Sequence, residues 1–264
     1  MMPWVLSGLG LVILLLAGDA LVRGAVNLSL RLGVPALIVS LTIVAFGTSA
    51  PELLIAISAL RDNAPGIALG NVVGSNTANI LLVLGVPALL STLHTSECNT
   101  RKTYIFMLLA SFLFIGLAMC GVFTIWSGLI LLVGLAFVLG DAFRDARAHR
   151  RAGCDPCEED LEALEEADPD MPYWRVGVYL LLGLIGLPLG ADLLVGNATV
   201  LARTFGVSET AIGLTLIAVG TSLPELATTV MAALRRQADV ALGNVIGSNM
   251  FNLLAIIGIA TFFG

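Results

Sequence analysis

Long apolar runs separated by short polar stretches dominate this chain. The runs fall at about 4–22, 34–60, 66–91, 103–121, 123–143, 173–195, 207–233 and 239–262. An α-helix needs about 20 apolar residues to cross a bilayer, and each run meets or nearly meets that length. None is built of the short alternating segments that a membrane barrel requires. The pattern predicts an all-α polytopic membrane protein with eight spans. The first run, MMPWVLSGLGLVILLLAGDALVRGA, lacks the basic start of a secretory signal and leads into more membrane sequence, so it is read as the first span. The one long hydrophilic stretch, 144–172, opens basic with RDARAHRR and turns acidic with DPCEEDLEALEEADPD. It is expected to be a solvated linker, helical in part.

The polar positions inside the runs repeat. A shift of 173 residues lays LTIVAFGTSAPEL (41–53) on LTLIAVGTSLPEL (214–226) without a gap. The same shift carries GNVVGSNTAN (70–79) onto GNVIGSNMFN (243–252), Asp19 onto Asp192 and Gly33 onto Gly206. Five predicted spans lie within one period. An odd number returns the second copy to the membrane from the other side, which is the inverted repeat of secondary transporters with a midplane site. The expected division is 1–143 as the first repeat with five helices, 144–172 as the linker and 173–264 as the second repeat with three. Counterparts of the fourth and fifth spans would fall near 276–316, past Gly264, so the second copy is expected to be short of its last two spans.

Composition agrees with the membrane reading. Hydrophobic residues make up 58% of the chain and charged residues 12%, against roughly a quarter charged in soluble domains. The net charge of -6 is concentrated in the acidic part of the linker, and no basic patch suggests nucleic acid. Arg and Lys set the orientation. With the N-terminus outside, Arg23, Arg31, Arg101, Lys102, Arg144, Arg147, Arg150, Arg151, Arg175, Arg235 and Arg236 share the linker's side, and only Arg61 and Arg203 face the other. The linker is expected to be cytoplasmic.

Glu52 and Glu225 lie inside apolar spans with no Lys or Arg in the same span, and a carboxylate there is expensive enough to mark function. Each follows a proline, Pro51 or Pro224, which removes a helix N–H and clashes four residues back, at Gly47 and Gly220. That opens the helix at GTS, frees carbonyls near Gly47–Thr48 and Gly220–Thr221, and leaves Thr48, Ser49, Thr221 and Ser222 in the same turn. Irregular backbone at this depth is tolerated where it lines a cavity. Ser75 and Asn79, four apart, share a helix face, as do Ser248 and Asn252. Asn71 and Asn244 lie a turn further back. Glycines 70, 74, 243 and 247 would let helices approach closely. All these donors are oxygens, the set that hard cations such as Ca²⁺ take in six to eight positions at about 2.3–2.6 Å. Two carboxylates balance one divalent ion, and the same cage can hold Na⁺ or protons. Softer metals would want His or Cys, and His94 and His149 lie outside the spans.

GTSAPE with GNVVGSNTAN, and GTSLPE with GNVIGSNMFN, resemble the two α-repeats of the calcium/cation antiporter superfamily, most closely its prokaryotic sodium/calcium exchanger branch. The resemblance covers the first eight of that family's ten spans. It implies an antiporter exchanging Ca²⁺ for Na⁺ by alternating access in a prokaryotic inner membrane, without enzyme activity or resident cofactor. It also implies Glu52 and Glu225 as central Ca²⁺ ligands and backbone carbonyls from Thr48 and Thr221. Ser49, Ser75, Ser222 and Ser248 would line Na⁺ positions, with Asn79 and Asn252 completing the centre. The first and sixth spans, which carry none of these residues, would slide as a pair.

Two departures bear on coupling. Studied sodium/calcium exchangers carry Asp at one of the paired amide positions, whereas here both are Asn, which removes a titratable group. Proton-coupled relatives tend to carry GNxxE where this chain has GTSxPE. A Ca²⁺/H⁺ antiporter, a passive divalent cation channel and an incomplete, inactive chain are the competing readings. A membrane enzyme is disfavoured because no HExxH or comparable constellation occurs. Cys154 and Cys157, as CDPC near His149, are read as reduced thiols, and Cys98 and Cys120 as incidental. Asp19 and Asp192 are expected near the cytoplasmic ends of the first and sixth spans, ordering helix ends or guiding ions.

Overall fold

A computed structural model of the chain describes residues 2–91, 100–152, 168, 170–208 and 218–263. The described residues are helical, with no strand among them. Helix α1 covers Met2–Leu32. A bent pair follows, α2 (Ala36–Thr48) and α3 (Ala50–Arg61), then α4 (Pro65–Leu90) and α5 (Thr100–Met119). Beyond them run α6 (Ile125–Ala152), α7 (Tyr173–Thr204), α8 (Leu223–Leu234) and α9 (Ala238–Ala260). Helices are the answer to an apolar solvent, because they satisfy every backbone N–H and C=O within one segment. Among the described residues, six helices are long and apolar enough to cross a membrane, seven if the bent pair counts as one span. Of the span expected at 207–233, α8 supplies the second half, and 209–217 lie outside the described residues. Three helices outrun their predicted spans: α1 reaches Leu32, α6 reaches Ala152 and α7 reaches Thr204. Hydropathy marks only the apolar part of a helix, so the ends that emerge from the apolar layer escape it. Cys98, Cys154, Cys157, His94 and the side chain of His149 also lie outside the description, and Cys120 is a free, exposed thiol.

The 173-residue repeat extends to backbone detail. Helix α1 closes with Gly33 at φ 64° and a bond from Val34 N–H to Ser29 O of 3.0 Å. Helix α7 closes with Gly206 at φ 78° and the matching bond, Val207 N–H to Ala202 O, again 3.0 Å. Helices α3 and α8 end with Asn63 at φ 55° and Arg236 at φ 56°, each followed by a 2.8 Å bond, Ala64 to Ala59 and Gln237 to Ala232. These are left-handed caps that close the last turn.

Helices α1 and α7 run antiparallel along their length, with small residues facing each other. A Cβ at Gly10 would lie 2.6 Å from Leu194 N, one at Gly183 2.5 Å from Leu21 Cβ, and one at Gly186 2.8 Å from Ala17 Cβ. The antiparallel course also corrects one expectation. Asp192, within the Gly190–Leu194 stretch that meets Gly10, lies toward the opposite end of the pair from Asp19, so the two do not share a helix end. Inversion of the repeat requires this separation. Asp19 accepts from Arg23 at 2.9 Å and from Arg235 at the end of α8, whereas Asp192 is exposed.

Helix α9 is the centre of the bundle. Its apolar window is 94% buried, against 28% for α4, its counterpart in the first copy. Helices α2, α5, α6 and α8 surround it. The close approach expected of its glycines is present: a Cβ at Gly247 would meet Leu41 O at 2.6 Å, and one at Gly243 would meet Leu37 O at 2.8 Å. Gly70 and Gly74 on α4 have no described neighbour within 4 Å. The positions matching Leu37 and Leu41 there are 210 and 214, outside the described residues. No described helix covers α4 as α5 and α6 cover α9, so the two copies share backbone geometry but not burial.

Candidate functional site

Both broken helices turn at the same place. Helices α2 and α3 bend by 40°, with Ser49 between them at φ −86°, ψ 3°. Ser222, before α8, has φ −92°, ψ 4°. Pro51 and Pro224 follow within the first two positions of the new helix, where a missing N–H costs least. This puts Glu52 and Glu225 in the first turn of α3 and α8, where free N–H groups and the helix dipole favour negative charge. The expected break at GTS is therefore present, and it aims a helix N-terminus at each carboxylate.

The partner residues come from the other recurring feature, a wide π turn. Leu84 N–H bonds Asn79 O five residues back at 2.9 Å. Asn79 opens the π segment Asn79–Val83, and Asn252 lies in Phe251–Ile256. Such turns in α-helices are frequent at functional sites. The packing crosses between copies: Asn79–Val83 lies against α8, which carries Glu225, and Phe251–Ile256 lies against α3, which carries Glu52. Neither copy alone encloses its own acid.

Nine of the ten residues singled out from the sequence are buried: Glu52, Glu225, Thr48, Ser49, Ser75, Asn79, Ser222, Ser248 and Asn252. Thr221 is half-buried. Both carboxylates are 1% exposed. Ser49 Oγ donates to Glu225 Oε1 at 3.2 Å across the two copies. Within the described residues, Glu52 Oε2, Glu225 Oε2, Ser222 Oγ, Ser248 Oγ and both amide atoms of Asn79 and Asn252 have no hydrogen-bond partner. Buried polar groups in native proteins are ordinarily satisfied. The carboxylate, hydroxyl and amide oxygens among these atoms have the donor chemistry that hard cations prefer.

Sequence reading gave Asn71 and Asn244 no role, yet both make the same contact. Asn71 Nδ2 donates to the main-chain carbonyl of Glu52 at 3.3 Å, and Asn244 Nδ2 donates to that of Glu225 at 3.3 Å. Their repetition within the two GN motifs was the available signal. Asn76 and Asn249, also 173 apart, meet where α4 crosses α9, with Asn76 Nδ2 donating to Asn249 O at 3.4 Å.

Pairs of broken helices around buried acids, written twice along an all-helical membrane chain, define an integral membrane protein of the inverted-repeat kind. The chain matches the sodium/calcium exchanger protein family over residues 2–140 and 176–264, and it belongs to that family. It is similar to the putative antiporter CaxA of Alkalimonas amylolytica, with 38% identity over 252 residues, 96% of this chain and 78% of that one. The sodium/calcium exchanger MaX1 of Methanosarcina acetivorans is 33% identical over 286 residues, 97% of this chain and 81% of that one. Among solved structures, the sodium/calcium exchanger from Methanococcus jannaschii superposes with a TM-score of 0.81 at 30% identity, covering 99% of this chain and 81% of the other.

Proposed function

We propose that this protein is a secondary antiporter that carries Ca²⁺ across the membrane in exchange for Na⁺, with one ion site shared by the two copies. The observation that carries the reading is the group of buried oxygens without protein partners, drawn from α3, α4, α8 and α9 and centred on Glu52 and Glu225. Two carboxylates balance one divalent charge. Thr48 and Thr221 supply backbone carbonyls. Ser49, Ser75, Ser222 and Ser248 line the Na⁺ positions, and Asn79 and Asn252 complete the centre. The set suits a hard cation's preference for oxygen. The Ser49 proton takes up part of the Glu225 charge.

Helices α1 and α7 carry no candidate ligand and pack on each other through a glycine-lined contact. They are the natural moving gate of an alternating-access cycle. The repeat division at 1–143 and 173–264 rests on the 173-residue shift, the prokaryotic inner membrane on the family resemblance, and the cytoplasmic linker 144–172 and external N-terminus on the Arg and Lys distribution. A proton-coupled antiporter is the second reading, favoured by Asn at both 79 and 252, which leaves Glu52 and Glu225 as the only titratable groups in the cage.

Uptake of ⁴⁵Ca²⁺ into proteoliposomes tests all of this. An outward Na⁺ gradient should drive accumulation and an imposed pH gradient should not. The reverse result would make the protein a Ca²⁺/H⁺ antiporter. Ca²⁺ flux with no counter-ion gradient would make it a channel, since conduction requires no exchange.

A further inference from the structure

The ten candidate ligands leave out two amides, Asn244 buried and Asn71 half-buried, that contact the acids from behind. We propose that Asn71 and Asn244 are positioning residues of the ion site: each pins the backbone of a ligating glutamate to the neighbouring helix and so fixes where its carboxylate reaches. This rests on the proposed ion site above and adds two residues to it that touch no ion.

Asn244 is fully buried, and each of its amide atoms has work. Its Nδ2 donates to Glu225 O at 3.3 Å and to Thr229 Oγ1 at 3.1 Å, and its Oδ1 accepts from Thr48 Oγ1 at 3.3 Å. The amide orientation is forced. A carbonyl oxygen can only accept, so the atom facing Glu225 O is the nitrogen. Thr229 spends its proton on Glu225 O at 2.7 Å, so its oxygen receives from the same nitrogen. Asn244 on α9 thereby joins the last residue of α2, in one copy, to the first turn of α8, in the other. Both ends of that link adjoin candidate ligands: Thr48 is one, and Glu225 is held through its own main chain.

The reason such a pin matters is mechanical. A glutamate reaches its ion through three rotatable bonds, and a loose helix end would add backbone play to them. A ligand held to within about 0.5 Å needs support that is itself locked. The first turn of a half-helix lacks the preceding turn that would hold it. Asn71 and Asn244 supply the missing restraint from the side. The restraint is unequal in the two copies, because position 56, which matches Thr229, is Ala56 and offers no hydroxyl. Glu225 is the more tightly seated acid and Glu52 the more compliant one.

Ca²⁺-dependent thermal unfolding of the purified full chain in detergent tests this, because a ligand that binds the folded state raises Tm by an amount set by [Ca²⁺]/Kd. Asn244→Ala should require about tenfold more Ca²⁺ or higher for the same Tm rise, the loss expected for removal of a hydrogen bond or two. Asn244→Asp keeps the acceptor for Thr48 but not the donors for Glu225 and Thr229, and should behave like the alanine variant. Asn71→Ala should shift the Ca²⁺ requirement less. Tm without Ca²⁺ reports folding separately from binding. If Asn244→Ala and Asn244→Asp unfold at lower Tm but keep the wild-type Ca²⁺ requirement, the amide is a packing residue and the proposal fails. If the wild-type chain itself gains no stability from Ca²⁺, the ion site of the preceding subsection fails instead.

Discussion

The Ser49 hydroxyl donates to Glu225 Oε1 at 3.2 Å, joining residues 176 apart in the chain. Ser49 is the hinge of one broken helix and Glu225 opens the helix after the other hinge. This contact, with the Thr48–Asn244 bond at 3.3 Å, joins the two copies directly. Ser49→Ala takes a hydroxyl oxygen from a proposed Na⁺ position and should weaken Na⁺ binding by about tenfold or more, the loss expected for one polar contact to a charged group worth about 1.5–3 kcal/mol. Titration calorimetry of the purified protein reads the change directly, and an unaltered affinity would place Ser49 outside the ion's coordination.

Glu52→Gln and Glu225→Gln should each reduce Na⁺-driven Ca²⁺ uptake to background, because one carboxylate cannot balance a divalent ion away from water. Asp62→Asn, at an exposed position just after α3, is the matched control and should transport normally. Normal uptake by either glutamine variant would remove the basis for the shared site.

Asn252→Asp adds a third carboxylate to the cage. The variant should bind cations more tightly and change the Na⁺ concentration dependence of Ca²⁺ efflux from loaded vesicles. An identical Na⁺ response in the variant and the wild type would show that Asn252 does not contribute to counter-ion binding.

Gly247→Val should lower Tm by an amount corresponding to about 1–3 kcal/mol, because its side chain would press on Leu41 O and on Ala45 Cβ, 2.6 and 2.5 Å from the new Cβ. Gly116→Ala on α5 meets nothing described within 4 Å and should leave Tm unchanged or raise it, since Ala favours helix over Gly by about 1 kcal/mol. Equal effects from the two would refute close packing of α2 on α9.

The link between Asp19 and Arg235 ties α1 to the end of α8, with the two side chains 18% and 26% exposed. A double-mutant cycle of Asp19→Asn and Arg235→Gln, read by chemical or thermal unfolding, should return a coupling energy on the order of 1 kcal/mol. Strictly additive effects would mean that the pair contributes nothing beyond its separate surroundings.

The sequence by itself determined the membrane class, the duplication and the identities of the candidate ligands. Each depends on local chemistry: apolar runs of bilayer length, a proline before each acid, and Ser and Asn one helical turn apart. The pairing of Gly33 with Gly206 was legible for the same reason, though their role as left-handed caps was not. Only the tertiary structure decided which helix is central and what each polar side chain meets. Nothing in GNVVGSNTAN or GNVIGSNMFN says that α9 is enclosed while α4 is not, because burial depends on α5 and α6, whose sequence lies far from both motifs. Asn71 and Asn244 looked like helix-start residues since a sequence records spacing along one helix, not the carbonyl opposite. The Ser49–Glu225 and Thr48–Asn244 bonds go further: helices broken at Ser49 and Ser222 bring residues more than 170 positions apart within hydrogen-bond distance, and no one-dimensional period encodes that approach.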